Sequence, residues 1–279
     1  MKKYITRPAR RLRRHYREWD RQRRAGRYRD LPLEEIFRDI HKRRRWRSSE
    51  TVSGKGSGRA GSAGVRRALP ALCAELGIRS VLDAACGDYQ WMRSITPDID
   101  DYLGVDIVPE LIEENNRRYA SERVRFELKD ICRDPLPRAD LILCRDCLVH
   151  LSEENVKRAI DNFKQSGSRY LLVTTFTRLP ENRDIVNGLW RPVNLELAPY
   201  RFPKALQTLA DGAVAGSAFS GSAVTGSAFS GSAVTGSAVT GSAFSGSAVT
   251  GSAVTGSARL YHKALSLYEL ERIEGFENG

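Results

Sequence analysis

Two short apolar runs, each ending in a carboxylate, constrain this chain more than any other feature. The stretch 80–107 reads SVLDAACGDYQWMRSITPDIDDYLGVDI. Residues 80–84 carry Asp83 and lead into a turn at Gly87, the pattern of a buried parallel strand feeding a loop and then a helix. Residues 102–105 form a second run, closed by Asp106. The two acids lie 106 − 83 = 23 residues apart. That is about the spacing at which the acid of a nucleotide-binding βαβ unit reaches a ribose.

The same alternation continues. Further strands are expected over 124–128, 141–144 and 170–174, with helices over about 89–95, 109–119 and 153–165. This predicts an α/β fold with a parallel sheet and helices on both faces. Right-handed crossovers bring all strand C-termini to one edge, where ligands of such sheets bind. Asp83, Asp106, Asp130 and the pair Arg145-Asp146 all fall at or just beyond strand ends on that edge.

The net charge of +11 is unevenly placed. Residues 1–47 hold 19 Lys and Arg against 6 Asp and Glu, a balance of +13, which leaves 26 − 28 = −2 for the remainder. The basicity belongs to a tail. Residues 1–30 can form a helix with Tyr16 and Trp19 as scattered apolar contacts. They are expected to be a solvated, partly disordered arm, with attachment to nucleic acid or an anionic membrane as the functional alternative. No apolar run approaches the roughly 18 residues of a membrane span, and no secretory signal is evident, so a soluble cytoplasmic protein is expected. Five cysteines at irregular spacing argue for reduced thiols. The Cys144–Cys147 spacing has no second pair, and no metal site is expected.

In residues 31–64, Leu33, Ile36, Phe37 and Ile40 recur at helical spacing. The following SSETVSGKGSGRAGSAG superficially resembles a phosphate cradle around Lys55. Ser49 stands where the first glycine of a P-loop belongs and no strand precedes it, so a nucleoside triphosphatase is excluded in favour of a mobile lid or plain linker. Residues 65–76 read as helical, closed by Gly77, with the regular part starting near Pro70. Residues 178–203 are rich in Pro, Asn and aromatics without a period. Trp190, Arg191 and Asn194 there are candidates for a substrate wall, or the aromatics simply fill the flank of the sheet. Residues 216–255 are eight pentapeptides, GSAVT or GSAFS. They read as a weakly ordered insertion in a surface loop, with a short β-solenoid as the alternative. A last strand is expected within 263–273. The organisation is therefore a basic arm (1–30), a helix with lid or linker (31–64), a core (65–211), the repeat insertion (212–258) and a strand completing the core (259–279).

The four stations in order are Asp83-Ala-Ala-Cys-Gly87-Asp, Asp106-Ile107, Lys129-Asp130-Ile131, and Arg145-Asp146 with His150 following. On these, residues 31–211 and 260–273 resemble a class I S-adenosylmethionine-dependent methyltransferase. WRSSETVSGKGS and AACGDYQWM resemble a bacterial type of unassigned substrate. The resemblance implies a Rossmann-like seven-stranded mixed sheet with an antiparallel final pair, and S-adenosylmethionine as cofactor. It implies cofactor contacts from Asp83, Ala85, Gly87, Asp106, Ile107, Asp130, Ile131 and Arg145. Asp106 would take the ribose diol, Asp130 the adenine amino group between Ile107 and Ile131, and Asp83 would order the methionine ammonium. Only Gly87 of the family's three glycines is present; Ala85 and Tyr89 stand in for the others. A nicotinamide cofactor would need the missing G-x-G-x-x-G.

Methyl transfer is an in-line displacement, so the protein aligns a nucleophile and removes its proton. His150 is the leading general-base candidate because its ordinary pKa of about 6.5 suits neutrality; Asp146 is the second. The alternative for His150 is a helix-start residue packed beside Leu148 and Leu151. The expected acceptor is a small molecule or glycan, methylated at oxygen. The rivals are an RNA methyltransferase gripping phosphates with residues 1–47, and an inactive binding or scaffold protein of the same fold.

Overall fold

Strands covered on both faces read as unbroken apolar runs, and this is why the central sheet forms where it does. The structure, a computed structural model, describes residues 7–46, 48–211 and 262–276; the pentapeptide repeat lies outside the described residues. Five parallel strands, β1 (Ser80–Ala84), β2 (Asp101–Asp106), β3 (Val124–Leu128), β4 (Leu141–Cys144) and β5 (Tyr170–Phe176), are followed by β6 (Gln207–Ala210) and β7 (Lys263–Glu269). The sheet order is β3-β2-β1-β4-β5-β7-β6, with β7 antiparallel to both neighbours. The Rossmann-like seven-stranded mixed sheet is thus as expected. β6 was not legible beforehand, because four residues with a single buried position, Leu209, show no alternation.

The strand side chains divide by parity between two cores. Val81, Leu141, Leu143 and Leu172 face α3 (Ala63–Leu76), which presents Val65, Leu69 and Leu72. Leu82, Ile142, Leu171 and Val173 face α5 (Glu153–Gln165), which presents Val156, Ile160 and Phe163. Ser152 caps α5 by accepting from the Asn155 amide. α4 (Pro109–Tyr119) opens on its proline, where a missing N–H costs nothing.

Three local expectations are corrected. α3 does not start at Pro70 but runs through it from Ala63. An interior proline costs about 3 kcal/mol, whereas burying Val65, Leu69 and Leu72 returns roughly 1.5–3 kcal/mol each. No α-helix spans 89–95, where Met92–Ser94 is a short 3₁₀ turn, followed by another at Thr96–Asp98. Tyr89 sits at φ 58°, outside any right-handed helix, and its ring packs against Tyr102, Tyr119 and Phe126. Finally, the arm, which could be helical, is helical as α1 (Arg7–Tyr28), but its end is docked and not solvated. Tyr28 is buried against Ile36 and Ile40 of α2 (Leu33–Lys42) and donates to Asp39 at 2.8 Å.

Candidate functional site

The parallel topology sets the ends of β1 to β4 side by side, and the loops leaving them line one cavity of about 1050 Å³, open mouth included. At the end of β2, Asp106 accepts from the amides of Gly87 and Val108, both at 3.0 Å. Burial pushes its carboxyl up despite those bonds. The turn after β1 brings Ala85 (φ 70°) and Gly87 (φ 59°) against it. A Cβ at Gly87 would collide with the Ser53 hydroxyl. Beneath them Asp83 accepts from the Tyr102 hydroxyl at 2.7 Å. Burial first, and the Asp106 charge after it, push Asp83 up to about 7. Asp130 accepts from the Cys132 amide at 2.9 Å, and burial raises its carboxyl. Ile107 and Ile131 complete that wall.

The opposite wall follows β4. Asp146, at φ 57°, is fixed by Lys263 of β7 at 2.6 Å and by its own amide donating to Thr174 at 2.9 Å. Burial acts to raise its carboxyl, but Lys263 and Arg145 outweigh burial and hold it below the usual range. The buried Arg145 pairs with Asp211 at 2.7 Å and donates to the carbonyls of Gly56 and Gly61. Its guanidinium lies 5.1 Å from the centre of the Trp91 ring. His150 ends a 3₁₀ turn, Leu148–His150, with Nδ1 2.8 Å from the Leu189 carbonyl and its ring stacked on Trp46 at 4.3 Å. Burial holds this imidazole below its ordinary pKa; Asp146 opposes that shift, and Arg191 and Lys263 add to it.

Residues 48–58, expected as a lid or linker, are pinned across the cavity. The Asp88 carboxylate accepts from Thr51 Oγ1 at 2.6 Å, the Val52 amide at 3.0 Å and Ser53 Oγ at 3.1 Å. The far end of this strap is held by Arg145 through Gly56.

Ten of the candidate residues therefore meet in one cavity: Asp83, Ala85, Gly87, Asp106, Ile107, Asp130, Ile131, Arg145, Asp146 and His150. Trp190, Arg191 and Asn194, candidates for a substrate wall or for filling the flank of the sheet, are not among the residues that line it. Trp190 is 46% exposed and packs edge-on to Phe176. Arg191 is buried and bonded to the Leu148 carbonyl and the Tyr200 hydroxyl. Asn194 folds back on the Glu196 amide at 3.1 Å, an Asx turn that stabilises the loop itself. The cavity's other lining residues include Phe37, Trp46, Ser53 and Trp91. Phe37 lies on the face marked by helical spacing and Trp46, Ser53 and Trp91 within WRSSETVSGKGS and AACGDYQWM, but nothing local marks any of the four as a cavity residue.

Residues 81–166 match a family model described as a methyltransferase domain. That part of the chain is similar to a methyltransferase domain. No curated protein sequence matches the chain. Among solved structures it is similar to magnesium protoporphyrin IX methyltransferase from Synechocystis PCC 6803 with bound S-adenosylhomocysteine. That similarity has 18% identity and a TM-score of 0.42, and covers 53% of this chain and 74% of that one. It is also similar to the N-methyltransferase NodS from Bradyrhizobium japonicum WM9, at 18% identity, TM-score 0.33, and 39% and 67% coverage. A third is an S-adenosylmethionine-dependent methyltransferase from Clostridium acetobutylicum ATCC 824, at 18% identity, TM-score 0.36, and 42% and 52% coverage.

The residues present fit the cofactor. A ribose diol needs an ionised acceptor with spare lone pairs, and Asp106 spends only one bond per oxygen on the backbone. A methionine ammonium needs a carboxylate, and Asp83 stands at the cavity wall. Among the described residues, no group of three or more His, Cys, Asp or Glu is placed to hold a metal ion. No helix among them is long and apolar enough to cross a membrane.

Proposed function

We propose that this methyltransferase acts at an oxygen of a small molecule or glycan, with His150 as general base. The observation that carries the reading is the 2.8 Å contact between His150 Nδ1 and the Leu189 carbonyl. A carbonyl only accepts, so Nδ1 bears the hydrogen and Nε2 is left as a free lone pair on the cavity. A hydroxyl acceptor must lose a proton as its oxygen attacks, and Nε2 can take it. Asp146 is the weaker candidate because it is already paired with Lys263. When bound, the cofactor supplies a methyl group on a sulfonium, open to in-line displacement. Asp106 would receive the ribose hydroxyls, Asp130 the adenine amino group, and Ile107 and Ile131 the faces of the ring. Asp83 would hold the ammonium, while Arg145 anchors the strap that shields the reacting groups from water.

A labelled-methyl assay against fractionated cell extract tests the reading without a guess at the acceptor. His150→Gln should abolish transfer while calorimetry shows cofactor binding intact; full transfer by that variant would remove His150 as the base. Asp106→Ala should weaken cofactor binding on the order of 100-fold, since two charge-assisted bonds are lost.

A second reading, RNA as acceptor, is favoured by one feature. α1 carries ten arginines against two acids in its sequence, with Tyr16 and Trp19 exposed. It ends against α2, whose Phe37 and Ile40 line the cavity. RNA binding that falls steeply with salt, and is lost when residues 1–28 are deleted, would support it; no binding at low salt would dismiss it.

A further inference from the structure

Arg191 was expected to touch substrate, yet its side chain is spent elsewhere, and the way it is spent is unusual. It is 4% exposed, its Nε has no hydrogen-bond partner, and among the described residues no carboxylate pairs with it. An unpaired buried guanidinium is costly, and an apolar side chain of similar length would fill the same space without that cost. A fold that keeps the charge must be using the guanidinium's donors, its field, or both.

The geometry shows where they go. Four hydrogen bonds join the loop 188–191 to the three consecutive residues of the Leu148–His150 turn. The Gly188 amide donates to the His150 carbonyl at 2.8 Å and the Arg191 amide to the Val149 carbonyl at 3.0 Å. Arg191 Nη1 donates to the Leu148 carbonyl at 3.2 Å, and His150 Nδ1 meets the Leu189 carbonyl at 2.8 Å. Arg191 Nη2 is steadied in turn by the Tyr200 hydroxyl at 3.1 Å. The other end of the loop is wedged under the helices: Gly188, at φ 79°, lies where a Cβ would come within 2.5 Å of Ile36.

We propose that Arg191 is a positioning residue for His150, fixing the 148–150 turn so that the imidazole presents Nε2 to the cavity. Its catalytic consequence rests on the reading of His150 as the base. The groups facing that imidazole are the Leu189 carbonyl, the Asp146 carboxylate, the Lys263 ammonium, the Arg191 guanidinium and the Trp46 ring. Asp146 favours the imidazolium; Arg191 and Lys263 disfavour it. Arg191 therefore acts twice, through its bonds on orientation and through its charge on protonation.

The test is nitrogen-15 NMR of the histidine side chains in the full-length protein, with His150→Gln assigning the resonance. Wild type should show a neutral Nδ1–H tautomer persisting well into the acid range. Arg191→Met should mix the tautomers and move the titration midpoint to higher pH, and Arg191→Lys, which keeps the charge, should bring the midpoint back toward wild type. An Arg191→Met protein with wild-type melting and an unchanged His150 tautomer and midpoint would overturn the proposal. If Arg191→Met does not fold, Tyr200→Phe takes its place: it should disturb the His150 resonance in the same direction, and an unmoved resonance would again overturn it. Failure of the base reading shows separately, as methyl transfer retained by His150→Gln.

Discussion

Lys263 Nζ lies 2.6 Å from Asp146 Oδ2 and 2.8 Å from Asp211 Oδ2, so the last strand of the sheet braces the loop after β4 from 117 residues away. That brace holds an aspartate at φ 57°, a left-handed conformation that Asp tolerates better than most residues but less readily than glycine. It also keeps the Asp146 carboxyl below its usual range against the opposing effect of burial.

Lys263→Met should therefore destabilise the protein by roughly 1–3 kcal/mol near neutrality. The sign with pH follows from the depressed carboxyl: its contribution is present above the ordinary carboxylate range and is lost as pH falls through the lowered folded value. Urea unfolding across the acid range should show a shallower loss for the variant than for wild type. Parallel curves would mean that the pair contributes nothing.

Asp83 runs the other way. Its folded carboxyl is raised to about 7 by burial, so its contribution to stability is complete below the ordinary carboxylate value and is lost as pH rises toward about 7. Asp83→Asn should flatten that part of the stability profile. In wild type, binding a cationic ligand beside Asp83 should release a proton below about pH 7. Calorimetry of S-adenosylmethionine binding in two buffers of different ionisation enthalpy measures it, and a buffer-independent enthalpy would refute it.

Gly188→Ala should cost about 1–3 kcal/mol. The new Cβ would stand 2.5 Å from Ile36 and 3.1 Å from both Ile40 and Tyr28, at a φ of 79° that disfavours alanine in any case. Chemical denaturation measures the loss, and shifts in the methyl spectra of Ile36 and Ile40 would place it at the docked helices.

Asp88→Ala removes the carboxylate that gathers Thr51, Val52 and Ser53. The strap over the cavity should loosen while the sheet stays folded, at a cost of about 1–3 kcal/mol. Hydrogen exchange at the Val52 amide should accelerate in the variant, and exchange in β4 and β5 should not. An unchanged Val52 amide would show that Arg145 alone holds the strap.

What could be read before the structure was whatever has a local period or a local end. β1, β4, α4 and α5 were legible because buried parallel strands are short apolar blocks, and because Pro109 and Ser152 mark helix starts within a residue or two of the pattern. The gathering of Asp83, Asp106 and Asp130 at one cavity was legible because parallel topology puts every strand end on one edge. Tyr89 was misread as helical because its backbone is dictated by rings from β2, β3 and α4, none adjacent in sequence.

The sequence by itself determined the five parallel strands in their order, the edge on which the carboxylates gather, and the charge imbalance of the first 47 residues. All of these follow from hydrophobic periodicity and composition, which act over a few residues. Only the tertiary structure decided that Asp88 and Arg145 fasten the strap, that Lys263 braces Asp146, and that Arg191 bonds to the Leu148 carbonyl beside His150. Those partners are dozens to more than a hundred residues apart, and a polar side chain carries no sign in its own neighbourhood of which distant donor or acceptor the folded chain will bring to it.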